Sequence, residues 1–213
     1  MSLITESIKS ELSALYSSPT RFYHSMGHVS ALLELHSRYR TLLTHPYDVE
    51  AAIWFHDAIY DSKEAPPTNE LRSAELAEAR LTNAGVDPVR VKRIYALIEA
   101  TAKHQPGPEL SNPEEVVDAD LFLDMDLSIL GADEKDFDQY ERDVREEYAW
   151  VSDEAWRTGR AKVLTGFAER EYIFRSMAFR QEYEEKARKN IDRSLRRLQS
   201  RDSDSSCPVI TSP

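Results

Sequence analysis

The sequence predicts an all-α fold, and three observations carry that expectation. Glycine occurs only six times in 213 residues. Alternating runs of β-branched residues are almost absent. Apolar side chains recur instead at the three- and four-residue spacing of amphipathic helices. About eight or nine helices are expected, packed as one helical bundle over residues 1–198 and followed by a tail at 199–213.

Each element has its own signal. Ile4, Ile8, Leu12 and Leu15 form a stripe along a first helix, 2–17. After Pro19 a second, 25–43, begins its stripe with Val29, Leu32, Leu33 and Leu35. Pro46 precedes a third at 48–60, whose segment AAIWFHDAIY is apolar nearly all round and so should be buried. The fourth, 68–84, follows Pro66 and Pro67. Asp87-Pro88 sets a capping side chain before a proline at the first helical position and opens 88–103. Beyond Pro106 and Pro108, Asn112-Pro113 repeats that signal, with Glu115 placed to close a capping box, and this helix runs to 130. Helices at 133–150, 152–169 and 180–199 complete the set. The last stretch, SRDSDSSCPVITSP, is poor in core formers and is expected to be disordered.

Composition narrows the function. A net charge of −11 argues against a binder of nucleic-acid polymers or anionic membranes, both of which need a basic footprint. It leaves room for a small phosphorylated substrate, because a local metal outweighs the global field. No run reaches the roughly 18 to 20 apolar residues of a membrane span. The opening MSLITESIKSELSALYSS lacks the basic start and apolar run of a secretory signal. The single cysteine, Cys207, excludes an internal disulfide framework and a thiolate-rich zinc site, and it fits a reducing compartment, so the cytoplasm is expected. Exposed helix faces leave room for a homodimer.

Four groups of residues carry chemistry. His56 and Asp57 interrupt the apolar third helix. A carboxylate buried there needs a cation or several donors, so either a metal holds both residues or a structural pair is satisfied by backbone or arginine. In RFYHSMGHV, His24 and His28 are four apart and share one face if the helix includes both, which suits two ligands or a ligand beside a proton donor. His36 and His45 are read as ordinary surface or core histidines. In VVDADLFLDMDLSILG, aspartates 118, 120, 124 and 126 are threaded through apolar residues. The first two fall near a helix start, where negative charge is favoured, and at most one of Asp124 and Asp126 is expected to be a ligand. Lys103 and His104 end an apolar helix, which suits either the helix dipole or a phosphate.

A histidine, then a buried His-Asp doublet, then a distant aspartate, all on helices, resembles the HD superfamily of metal-dependent phosphohydrolases. The pieces YHSMGHV, WFHDAIYD, TNELRSAELA, LFLDMDLSILGA, YERDVREEYAWV and GRAKVLTGF are similar to a bacterial-type branch of predicted HD phosphohydrolases, over residues 12–195. The resemblance implies hydrolysis of a small phosphate ester, most simply a nucleotide. His28, His56, Asp57 and Asp126 would be the metal ligands, with Asp124 the alternate to Asp126. Read against the deoxynucleotide triphosphohydrolases, His24 would replace His28 as the ligand; His28 is preferred because it leads an inward stripe through Ala31, Leu32, Leu35 and Tyr39.

The implied donor set mixes imidazole and carboxylate and suits one or two ions of Mn, Fe, Co, Ni or Zn. Its chemistry is activation of water and polarisation of a phosphoryl oxygen. His24 would protonate the leaving oxygen, with His104 as a further member of the catalytic group and Asp61 positioning water. Lys103, Arg21 and Arg72 would neutralise phosphate charge. Asn69 and Glu70 would stand near the metal or at the pocket mouth, with Glu70 contacting substrate. The basic residue that often follows the last aspartate is Leu127 here. Two alternatives stay open: an HD-type di-iron oxygenase, and a non-catalytic helical domain that binds a nucleotide or a protein.

Overall fold

The computed structural model describes residues 2–203, with side chains described through residue 200. Among these residues there are nine α-helices, two short 3-10 turns and no strand. The helices are α1 (Glu6–Tyr16), α2 (Met26–Tyr39), α3 (Pro46–Phe55), α4 (Thr68–Asn83), α5 (Pro88–Ala100), α6 (Pro113–Leu127), α7 (Glu134–Glu147), α8 (Asp153–Ala168) and α9 (Met177–Ser203). Asp87 and Asn112 cap their helices as the sequence implies, whereas Glu115, expected to close a capping box, accepts from Arg93 Nε (3.1 Å) instead. Asp87 accepts from Val89 N, and Asn112 from Glu114 N. Beyond the end of α4, Gly85 takes a φ of 75°, which lets Val86 N reach back to Leu81 O.

No helix of the described residues is long and apolar enough to cross a membrane. One apolar core takes residues from all nine helices, among them Leu12, Leu32, Phe55, Leu81, Leu97, Phe122, Phe137, Leu164 and Phe179. α3 lies at its centre, with Val49 and Ala51 through Ile53 fully buried. α9 closes the bundle against the 3-10 turn Ser128–Gly131. A side chain at Gly131 would bring its Cβ within 2.6 Å of the Tyr183 carbonyl, so only glycine lets α9 lie directly on that turn.

Three helix ends differ from the sequence reading, and they matter for the site. α3 stops at Phe55, so His56 and Asp57 follow the helix instead of interrupting it. The cause is distant in the chain. The Tyr16 hydroxyl donates to Trp54 O (3.1 Å) and accepts from Asp57 N (3.3 Å). Arg21 donates to the carbonyls of Asp57 (2.6 Å) and Ala58 (2.8 Å). Together they satisfy backbone groups that another helical turn would have used. α2 begins at Met26, capped by Ser25, so His24 lies outside it and shares no helix face with His28. α5 ends at Ala100, which leaves Lys103 and His104 in a turn where His104 takes a φ of 49°. At the other end of the chain, α9 runs through residues 199–203 of the expected tail; 204–213 lie outside the described residues.

Candidate metal centre

The centre is built where α2, α3 and α6 meet. His28 comes from the first turn of α2, His56 and Asp57 from the turn after α3, and Asp126 from the last turn of α6. His28 Nε2 lies 3.1 Å from His56 Nε2 and 3.1 Å from Asp126 Oδ1. Asp57 Oδ2 is 3.0 Å from His56 Nε2 and 3.8 Å from His28 Nε2. His56 Nε2 and Asp126 Oδ1 are 3.7 Å apart. Neighbouring ligands of an ion bound at about 2.1 Å stand roughly 3.0–3.4 Å apart. Three of these five spacings fall in that range and two exceed it, and His28, His56 and Asp57 form a group that could hold a metal ion. His104 Nε2 reaches the other Asp126 oxygen at 3.2 Å. His104 makes that contact from a left-handed backbone (φ 49°), a conformation non-glycine residues adopt at a cost.

The donor chemistry fits a cation. His56 Nδ1 lies 2.8 Å from the Ile53 carbonyl, which fixes a proton on Nδ1 and turns the Nε2 lone pair of the neutral ring into the cage. Both histidines are buried, and their Nε2 atoms face two carboxylates. Burial pulls the His56 imidazole down, but Asp57 and then Asp126 outweigh it and lift it to about 9. Burial pushes Asp57 and Asp126 up, and the surrounding imidazoles more than reverse this, holding both carboxyls well below the usual carboxylate range. The cage therefore favours positive charge at its centre.

Beside it lies a residue the sequence reading missed. Glu147, buried at the end of α7, accepts from the backbone N–H groups of Phe22, Tyr23 and His24 at 2.8–2.9 Å. Its other oxygen meets His24 Nδ1 at 2.6 Å and the Tyr60 hydroxyl at 3.0 Å. The His24 ring stacks on Tyr60 with centroids 4.2 Å apart, and Nε2 is left for the cavity. Burial lowers the His24 imidazole, and the Glu147 bond reverses this to leave it raised. Burial raises Glu147, and the His24 bond leaves it lowered.

A cavity of about 860 Å3 opens over the centre, lined by His24, Asp57, His104 and Asp126 and by Glu70 and Lys103. Three expected site residues stand elsewhere. Arg21 does not line the cavity, because its guanidinium is bonded to backbone carbonyls behind the doublet. Arg72 is exposed and also lies off the cavity. Asp61 is exposed, and its carboxylate accepts from Lys63 N (3.0 Å) in a turn that Asn69 holds from both sides. The other buried acids have plain partners. Asp118 takes the N–H groups of Thr44 and His45, and Asp124 takes those of Arg175 and Ser176. No protein-family model, curated protein or solved structure matches the chain.

Proposed function

We propose that the protein is a metal-dependent phosphohydrolase acting on a small phosphate ester, held by one or two divalent transition-metal ions. The observation that carries this reading is the convergence of His28 Nε2, His56 Nε2, Asp57 Oδ2 and Asp126 Oδ1 under an open cavity. Two imidazole nitrogens 3.1 Å apart with carboxylate oxygens beside them are an arrangement that a cation stabilises and that an apolar core would not retain. A mixed N/O donor set suits Mn, Fe, Co, Ni or Zn. When bound, such an ion makes a water more acidic and polarises a phosphoryl oxygen.

The chain's own groups supply the rest. His24, oriented by Glu147 and stacked on Tyr60, carries the proton to the leaving oxygen from Nε2; burial lowers its pKa, and the Glu147 bond outweighs this to leave it raised, which favours the proton-bearing form. Lys103 lines the cavity and offsets phosphate charge. His104, held against Asp126, orients that carboxylate or serves a second ion.

Elemental analysis of the native protein beside His56→Ala and Asp57→Ala tests the reading. Near-stoichiometric transition metal in the native chain, lost in both variants together with phosphatase turnover, is the expected outcome. Metal and turnover retained in Asp57→Ala would sink it. Two irons per chain with oxygen-dependent turnover would replace it with the HD-type oxygenase.

A further inference from the structure

The stretch from the end of α8 into α9 carries arginines at 170, 175 and 180, in a chain whose net charge is −11. All three line a second cavity, of about 390 Å3. Arg170 also borders the cavity over the metal centre, and it donates to the Lys103 carbonyl at 3.2 Å. The turn held in this way presents Lys103 and His104 to the first cavity and Gln105 to the second.

Other side chains hold the backbone of this stretch. Arg188 donates to the carbonyls of Ala168, Arg170 and Glu171. Glu184 accepts from Ile173 N and Phe174 N, and Asp124 from Arg175 N and Ser176 N. The three cavity arginines are much less engaged. Arg170 gives one N–H to Lys103 O, Arg180 gives its Nε–H to Phe174 O (2.8 Å), and Arg175 pairs through Nε with Asp120. Each guanidinium has five N–H donors, so most of them are left for an occupant. Among the described residues, Arg170 and Arg180 meet no carboxylate. Like charges gathered there work against each other: burial first, and then Arg175, lowers Arg170 from its ordinary value.

The cations are also held in place. The Arg180 guanidinium lies 4.0 Å from the centre of the Tyr172 ring, and that of Arg170 lies 4.7 Å from the centre of Phe167. Planar groups braced against rings lose little freedom when they bind a ligand. The acids of the wall are Asp120, taken up by Arg175, and the exposed Glu171, so three cations face two carboxylates. Three guanidinium forks offer more donors than the two oxygens of a carboxylate can use. A tetrahedral oxyanion presents oxygens to all three.

We infer that this second cavity binds a phosphate-type oxyanion, either the free ion or the terminal phosphate of a small metabolite, through Arg170, Arg175 and Arg180. The metal takes no part in it, so the site stands or falls apart from the proposed phosphohydrolase.

Titration calorimetry of the full-length protein tests this, with inorganic phosphate and with methylphosphonate as a stand-in for a phosphate ester that cannot be hydrolysed. Arg180 lines only the second cavity and Lys103 only the first, so variants at these positions tell the two apart. A binding event weakened about tenfold or more in Arg180→Gln, and unaltered in Lys103→Gln, is expected. Arg180→Lys keeps the charge without the fork. It should bind more weakly than native and more tightly than the glutamine variant, and it decides the matter if glutamine disturbs the start of α9. Phosphate alone binding would mark the free ion as the ligand, and methylphosphonate binding beside it would mark a terminal phosphate; either upholds the site. Binding of neither anion overturns the inference. So does equal binding by native protein and both Arg180 variants, or loss of the event in Lys103→Gln alone.

Discussion

Helix α6 carries three buried or nearly buried aspartates, and they meet two different fates. Asp118, near its start, accepts from the N–H groups of Thr44 and His45 and from the His45 ring. Asp124, one turn before the end, accepts from Arg175 N and Ser176 N, both at 2.7 Å. Asp126, two residues on, finds imidazole nitrogens, with His28 on one oxygen and His104 on the other. Backbone N–H groups are fixed donors that hold two segments together. Imidazole nitrogens exchange protons and metals. The same side chain on the same helix thus binds backbone N–H groups in two places and imidazoles in the third, and the partner makes the difference.

Breaking the contrast should give the largest effect. Asp126→Ala is expected to lose the bound metal and with it all turnover, whereas Asp124→Asn keeps metal stoichiometry; elemental analysis of both proteins checks this. Metal loss in Asp124→Asn alone would reverse the assignment. Next in size, His24→Gln should retain metal while kcat falls about 100- to 10,000-fold, the range for losing a proton donor, as steady-state kinetics on a phosphate ester would show. Asp118→Ala leaves the N–H groups of Thr44 and His45 without their acceptor. It should cost about 2 kcal/mol and lower the melting temperature by roughly 4–8 °C, with kcat unaltered.

The smallest effect sharpens the comparison through pH. His24 has a raised pKa in the folded chain, so its stabilisation is complete below the unfolded value near 6.5 and is lost as pH climbs through the folded one. Glu147 has a lowered pKa, so its share is complete above the unfolded value near 4.5 and is lost as pH falls through the folded one. The melting-temperature gap between native protein and Glu147→Gln should therefore be widest between pH 4.5 and 6.5 and narrow on the alkaline side. A gap that does not change with pH would show that Glu147 acts only through the backbone N–H groups.

Much of this was legible in the residues, and the misses share one cause. Caps and apolar stripes located the helices because both are local. The doublet's place was misjudged because AAIWFHDAIY stays apolar past the helix end. The groups that end the helix, Tyr16 and Arg21, lie more than thirty residues upstream. Arg21 was read as a phosphate clamp for the same reason: the carbonyls it serves are neighbours only in space. Glu147 did leave a signal. Phe137, Tyr140 and Val144 set an inward face on α7, and position 147 continues it, so an acid there has the same signature as the doublet's. The surrounding charges of EKDFDQYERDVREE hid it.

The contact between α9 and the turn at Gly131 has a consequence for the order in which the protein is made. The ribosome delivers the chain from its N-terminus, so the doublet and α6 emerge well before residues 175–203. Until then Asp124 lacks its two N–H donors, and the turn after Asp126 has no helix lying on it. The packing behind Asp124 and the turn at Gly131 is therefore completed late in biosynthesis, only when nearly the whole chain has been translated.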